Sequence, residues 1–269
     1  MIGGAPDRTP TLHAEADDGA LIAYRRYGGA GADAAGAVAA AAGPQLPPVL
    51  LVHGFATDAR VTWQGTGWVK ALVDAGRDVI TVDLRGHGES DTPIEADAYR
   101  AAVLGADLVA VLDSVGVPVV DVVAYSMGCR VATAFATLAP DRLRRLVLGG
   151  AGPREHFAAW RLDEVRALLL DGVPSSDPVV EQVLKPALDA GADPEVLLAV
   201  VSGFAGAPLE VPGGVPVLFV AGELDPVPAG VAELARDHGA ELVTVPGRDH
   251  VSTLTSRVFK DAAIGFLGS

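Results

Sequence analysis

Ser126, Asp225 and His250 are the residues of this chain whose types and order suit nucleophilic catalysis. A serine hydroxyl is a weak nucleophile at neutral pH, so it needs a base to take its proton and a third group to orient that base. Ser126 stands in Ala124-Tyr125-Ser126-Met127-Gly128, after the apolar run Val119-Val120-Asp121-Val122-Val123 and before a helical pattern over 129–135. A serine among small residues at a strand-to-helix turn is the sequence form of a nucleophile elbow, which holds Oγ exposed above the sheet edge. Ala124 occupies the place where such turns usually carry glycine. Alanine is the next smallest side chain, so a close strand-helix approach survives.

Asp225 follows the apolar run 215–221 within Gly222-Glu223-Leu224-Asp225-Pro226, and His250 follows the run 241–245 within Pro246-Gly247-Arg248-Asp249-His250. Serine, acid and histidine in that chain order match the elbow-type arrangement. Glu223 and Asp249 are rival carboxylates. Asp249 ranks below Glu223, because it directly precedes His250 and points away from it in an extended loop. A tetrahedral oxyanion needs preorganised N–H groups, one after the nucleophile and one from the loop after the third strand. Those are the backbone amides of Met127 and Phe55, the latter in His53-Gly54-Phe55.

Each residue also has a plainer role. Ser126 suits an N-cap, and Asp225 suits a turn before Pro226. His13 falls in the opening strand, and His238 ends a helix beside Gly239, where a cation favours the dipole. His53 and His87 are expected to make hydrogen bonds within their loops, while His156 is either a surface residue or a substrate contact. Cys129, the single cysteine, is expected to pack as a small hydrophobe. It allows neither an intramolecular disulfide nor a thiolate-rich metal site. Asp83 and Arg85 are expected to hold their turn as an ion pair. Gly86 and Gly88 lack the spacing of a dinucleotide fingerprint, and zinc and P-loop motifs are absent. Neither a metal nor an organic cofactor is expected.

These residues need a frame that gathers strand ends. Apolar, β-branched runs alternate with helical patterns, the signature of a largely parallel sheet flanked by helices. Residues 21–27 pair with the run before Asp18-Gly19 as an antiparallel hairpin; further strands are predicted over 48–53, 78–84, 119–125, 143–149, 215–221 and 241–245. Their near-continuous hydrophobicity demands burial on both faces. Helices are predicted over 68–75, 98–115, 127–139, 229–238 and 251–267. The Gly- and Ala-rich stretch 28–45 reads as a mobile surface connection. The stretch 154–212, with helical patches over 160–170 and 178–188, reads as a cap over the carboxyl ends of the strands. The domain expectation is therefore a core of 1–153 and 213–269 with a helical cap of 154–212 inserted after the sixth of roughly eight strands.

With 269 residues, half of them hydrophobic, the chain can bury one large α/β core. The apolar stretch 34–42 is broken by Gly36 and is too short for a bilayer, which takes about 20 apolar residues. Residues 1–8 lack the pattern of a secretory signal, so a cytoplasmic location is expected, without membrane insertion. A formal charge of −14, from 34 acidic and 20 basic residues, opposes nucleic-acid binding. The expected partner is a small-molecule substrate, and the oligomeric state stays open.

The features His53-Gly54-Phe55, Asp83 to Ser90, the Ser126 elbow, Gly222 to Asp225, and His250 together resemble the α/β-hydrolase superfamily, of the compact kind with a helical cap. The resemblance implies Ser126 as nucleophile, His250 as base and then acid, and Asp225 as the orienting carboxylate. It implies cleavage of an ester, lactone or thioester through an acyl-enzyme. Phe55, Tyr125, Met127, Phe157, Trp160 and Phe204 are the expected apolar walls. Members that use Asp as nucleophile, such as epoxide hydrolases, are disfavoured by Ser126. The same resemblance admits C–C bond hydrolysis of dicarbonyl compounds, or a cofactor-free haloperoxidase or perhydrolase. Of other classes, it admits a cofactor-free oxygenase or a non-catalytic ligand-binding protein.

Overall fold

The computed structural model describes residues 9–28 and 46–269. The expectations for 1–8 and, beyond Gly28, for the Gly- and Ala-rich connection lie outside the described residues. Among the described residues, eight strands form one sheet: β1 (Leu12–Glu15), β2 (Leu21–Tyr27), β3 (Val49–Val52), β4 (Val79–Val82), β5 (Val120–Tyr125), β6 (Leu143–Gly149), β7 (Val217–Gly222) and β8 (Glu241–Val245). Their order is β1-β2-β4-β3-β5-β6-β7-β8. β1 and β2 form the opening hairpin, β2 runs antiparallel to β4, and every later pairing is parallel.

Every residue of β3, β4, β5 and β7 is buried, because helices cover both faces of the sheet. On one face α2 (Ala101–Val115) and α3 (Met127–Leu138) set Leu104, Leu108, Val131 and Phe135 against Leu50, Val52 and Val122. On the other, α1 (Trp68–Asp74) and α9 (Arg257–Gly268) set Trp68, Leu72 and Phe259 against Leu51, Val123 and Val147. α7 (Val231–Asp237) joins β7 to β8, and α8 (His250–Thr255) follows β8. The sheet order reverses between β3 and β5, so their carboxyl ends flank the crevice where such sheets bind ligands. Phe55 follows β3 and Ser126 follows β5.

Between β6 and β7 lie three helices, α4 (Leu162–Asp171), α5 (Pro178–Asp189) and α6 (Pro194–Phe204). They share their own apolar cluster, including Val165, Leu168, Leu184, Leu197 and Val201. α6 lies beyond the two expected helical patches. Asp193 caps it by accepting from Glu195 N, with Pro194 at its first turn.

Three expectations need correction. The helix expected over 251–267 is two, because Ser256 is extended and its side chain caps α9 through Val258 N. The helix expected over 98–115 begins with a separate 3-10 turn, Ala96–Tyr99, before Arg100 extends and α2 starts. Asp83 and Arg85 do not pair with each other. Asp83 receives Arg25 at 3.2 Å and the backbone N–H groups of Ala59 and Glu89, whereas Arg85 forks onto Asp107 and Asp18. These partners are far away in sequence, so the local turn did not reveal them.

Arg25 is fully buried, and its other ion pair, at 2.9 Å, is to the partly exposed Glu89. Removing one partner of a buried pair leaves an uncompensated charge. Asp83→Ala is therefore expected to lower the unfolding free energy by about 3 kcal/mol, measured by urea denaturation; an unchanged midpoint would contradict this account of the β2–β4 junction. No helix among the described residues is long and apolar enough to cross a membrane.

Candidate active site

β5 ends at Tyr125 and α3 begins at Met127, so Ser126 alone turns the chain. Its backbone sits at φ 54° and ψ −122°, a region that costs an L-residue about 1–3 kcal/mol and persists only where the surroundings over-determine it. Two hydrogen bonds hold it: Ser126 N–H donates to Gly149 O at 2.8 Å, and Ser126 O accepts from Cys129 N at 3.0 Å. Gly128 lets α3 come this close. A Cβ there would lie 2.3 Å from His53 O and 2.7 Å from Val52 O. The Ser126 side chain makes no capping hydrogen bond. Its Oγ lies 3.0 Å from His250 Nε2 instead.

His250 Nδ1 lies 2.8 Å from Asp225 Oδ2. A carboxylate there keeps the proton on Nδ1 and leaves Nε2 to accept the serine hydroxyl. Asp225 also fills its plainer role: Oδ1 accepts from Val227 N at 2.9 Å, so one oxygen makes the turn and the other faces the imidazole. Its side chain is fully buried, while that of His250 is 29% exposed. The rival carboxylates are engaged elsewhere. Glu223 accepts from Gly247 N, and Asp249 caps α8 reciprocally with Ser252.

The loop after β3 is held from beneath. His53 Nε2 accepts from Leu84 N at 2.9 Å while Nδ1–H donates to Gly54 O at 2.7 Å. His87 Nε2 accepts from Ala56 N at 3.1 Å while Nδ1–H donates to Arg85 O at 2.9 Å. Each histidine must be neutral to do both. The backbone N–H groups of Phe55 and Met127 donate to no acceptor among the described residues.

Comparison with known proteins bears on this frame. The family described as alpha/beta hydrolase fold matches residues 47–174. A crystal structure of a hydrolase from Pseudomonas aeruginosa PA01 superposes with a TM-score of 0.74 at 27% identity, covering 98% of this chain and 100% of that one. The chain belongs to the α/β-hydrolase superfamily. Among curated relatives, epoxide hydrolase B of Mycobacterium tuberculosis (strain ATCC 25618 / H37Rv) is 40% identical over 103 residues, 38% of this chain and 28% of that protein. A 2-hydroxy-6-oxononadienedioate/2-hydroxy-6-oxononatrienedioate hydrolase of Cupriavidus pinatubonensis (strain JMP 134 / LMG 1197) is 37% identical over 143 residues, 50% of this chain and 46% of that protein. The chain thus spans less than half the length of either curated relative.

The expected apolar walls separate into two groups. Phe55 and Phe157 are 5.0 Å apart at their ring centroids, and Phe157 and Trp160 are 4.9 Å apart. All three are half-buried and join the loop after β3 to the helical segment. Met127 is buried at the start of α3. Phe204 is 1% exposed behind Phe157 and belongs to the core. Tyr125 corrects the expectation most. It is 4% exposed, packs on the face of the sheet covered by α9, and donates its hydroxyl to His250 O. His156 is half-buried, and its Nε2 lies 3.1 Å from Val227 O, tying the helical segment to the turn after Asp225. Cys129 is buried, and burial pushes its thiol up to about 12.

Arg130 and Glu155 were not foreseen. Arg130, one turn beyond Ser126 and buried, donates to the carbonyls of Gly152, Pro153 and Ala207. Glu155 accepts from the N–H groups of Phe157, Ala158 and Gly206. Together they tie the entry and exit of the helical segment to each other and to α3. Their distant partners, Ala207 for Arg130 and Gly206 for Glu155, leave no local signal for such a role.

Burial lowers His87 from 6.5 to about 4, with the neighbouring His53 adding to the effect. The unfolded chain therefore binds more protons than the folded one in this window, and stability falls as pH drops from 6.5 towards about 4. Replacing the imidazole, as in His87→Gln, is expected to flatten the slope of unfolding free energy against pH across that window; an unchanged slope would contradict the neutral, doubly bonded imidazole.

Proposed function

We propose that this chain is a serine hydrolase that cleaves a small or medium ester, lactone or thioester through an acyl-enzyme. Ser126 is the nucleophile, His250 the base and then the acid, and Asp225 the carboxylate that orients it. The observation that carries this reading is the row of two hydrogen bonds, 3.0 Å from Ser126 Oγ to His250 Nε2 and 2.8 Å from His250 Nδ1 to Asp225 Oδ2.

In the first half-reaction Oγ bonds the acyl carbon while its proton passes to Nε2. The oxyanion takes hydrogen bonds from the N–H groups of Phe55 and Met127, which have no acceptor to lose among the described residues. The tetrahedral species collapses as Nε2–H protonates the departing oxygen or sulfur. Water then repeats the sequence: its proton goes to Nε2, its oxygen bonds the acyl carbon, and Oγ leaves with the proton returned. Residues 154–212 act as a cap. Phe55, Met127, Phe157 and Trp160 line the acyl side, with His156 at the rim. The substrate is a small molecule, and these steps require only side chains, backbone amides and water.

The nucleophile's chemistry separates this reading from the epoxide hydrolase among the relatives. A carboxylate that opens an epoxide forms an ester, which water can cleave. A serine oxygen would form a dialkyl ether, which this site has no means to hydrolyse. An acyl carbon is the electrophile that lets Ser126 turn over.

A second reading, hydrolysis of a C–C bond in a dicarbonyl compound, is favoured by the 37% identity to the 2-hydroxy-6-oxononadienedioate/2-hydroxy-6-oxononatrienedioate hydrolase. The same attack occurs, but His250 protonates a departing carbon. A panel of p-nitrophenyl esters, lactones, thioesters and vinylogous diketones decides between the two by relative kcat/KM. On the preferred substrate, Ser126→Ala is expected to lower kcat by about a million-fold and Asp225→Asn by about 10,000-fold. Turnover that survives Ser126→Ala and depends on dissolved oxygen would replace this reading with a cofactor-free oxygenase.

A further inference from the structure

We infer that Tyr125 is a positioning residue for His250, holding the base in register with the serine that follows it in the chain. This rests on the reading of Ser126 and His250 as nucleophile and base. Tyr125 touches His250 in two ways. Its hydroxyl donates to the His250 carbonyl at 2.5 Å, and its ring lies 5.2 Å from the imidazole, tilted by 38°. The first contact fixes the backbone of the histidine and the second supports the ring from below.

The surroundings are shaped for this arrangement. β6 ends in Gly149 and Gly150 follows it, and a Cβ on Gly150 would lie 2.7 Å from Tyr125 Cζ and 3.0 Å from His250 Cε1. The two rings therefore rest together over bare backbone. Phe259 of α9 packs against the tyrosine ring, at 6.1 Å between centroids. Burial raises the Tyr125 phenol above its ordinary value, so the hydroxyl stays a donor at any pH where the enzyme would work.

His250 needs such support because its own element is short. It begins the six-residue α8, which follows β8, the strand at the sheet edge whose first four residues are all at least partly exposed. Asp225 fixes Nδ1 alone. With Ser126 Oγ on Nε2 it sets the tautomer and an axis through the two ring nitrogens, but leaves the imidazole free to rock about that axis. Tyr125 supplies the missing contacts, and it does so from the residue bonded to Ser126, so nucleophile and base share one anchor. A displacement of about 1 Å between reacting groups can lower a rate about 100-fold, which is the scale of what this anchor protects.

Tyr125→Phe removes the hydroxyl and keeps the ring. In the folded variant, the rate of fluorophosphonate labelling at Ser126 and kcat on an activated acetyl ester are expected to fall by about 10-fold or more, with KM unchanged. The downfield proton resonance of His250 Nδ1–H should shift or broaden. A core residue without a positioning role would alter the melting temperature and leave these readouts unchanged. Wild-type rates and an unmoved resonance in folded Tyr125→Phe would overturn the inference while leaving the serine hydrolase reading standing; a wild type that never labels would remove both.

Should Tyr125→Phe fail to fold, replacement of tyrosine throughout by 3-fluorotyrosine strengthens the hydroxyl as a donor at nearly the same size. The His250 Nδ1–H resonance is then expected to move. Its staying in place would overturn the inference.

Discussion

At Ser126 the backbone passes from β5 to α3 in one residue, at φ 54° and ψ −122°, and it is held there by hydrogen bonds from its own N–H to Gly149 and to its carbonyl from Cys129. Gly128 lies against the carbonyls of Val52 and His53, the end of β3, so α3 and the loop after β3 are packed against each other by direct contact. Ser126 N–H is engaged with Gly149, the end of β6. The serine is thus located by three parallel strands at once. A strained residue held in this way loses no further conformational freedom when a substrate arrives, which is the value of keeping about 1–3 kcal/mol of strain at such a position.

The other groups reach this point through loops that also have structural work. Asp225 closes a turn with one oxygen and meets His250 with the other. His53 and His87, buried and neutral, bind the backbone of the loop after β3 to the loop after β4. Arg130 and Glu155 bind the two chain crossings into the helical segment. The polar groups are satisfied by backbone partners at short range, as burial requires. The geometry around Ser126 therefore comes from the same bonds that stabilise the fold.

The strand ends were legible in the sequence because long apolar runs stop abruptly at Ser126, before Asp225 and before His250. The parallel sheet was legible for the same reason. The orientation of Tyr125 was not, since all six residues of β5 are buried and a strand covered on both faces has no polar alternation to tell one face from the other. The partners of Asp83 and Arg85 were hidden by sequence distance, being Arg25, Asp107 and Asp18. The break at Ser256 lay in a run of serine and threonine whose side chains compete with the helix for backbone groups. α6 had a readable start in Asp193-Pro194, but its apolar interior has no strong face to distinguish it from a buried strand.

The central claim is that this turn presents an activated serine. Incubation of the folded wild type with a small dialkyl fluorophosphate, followed by intact mass and peptide mapping, tests it most directly. The account predicts one phosphoryl adduct per chain, with fluoride released, mapped to Ser126 and absent from Ser126→Ala and His250→Ala. A folded wild type that takes up no adduct, or takes it up at another serine, would contradict it.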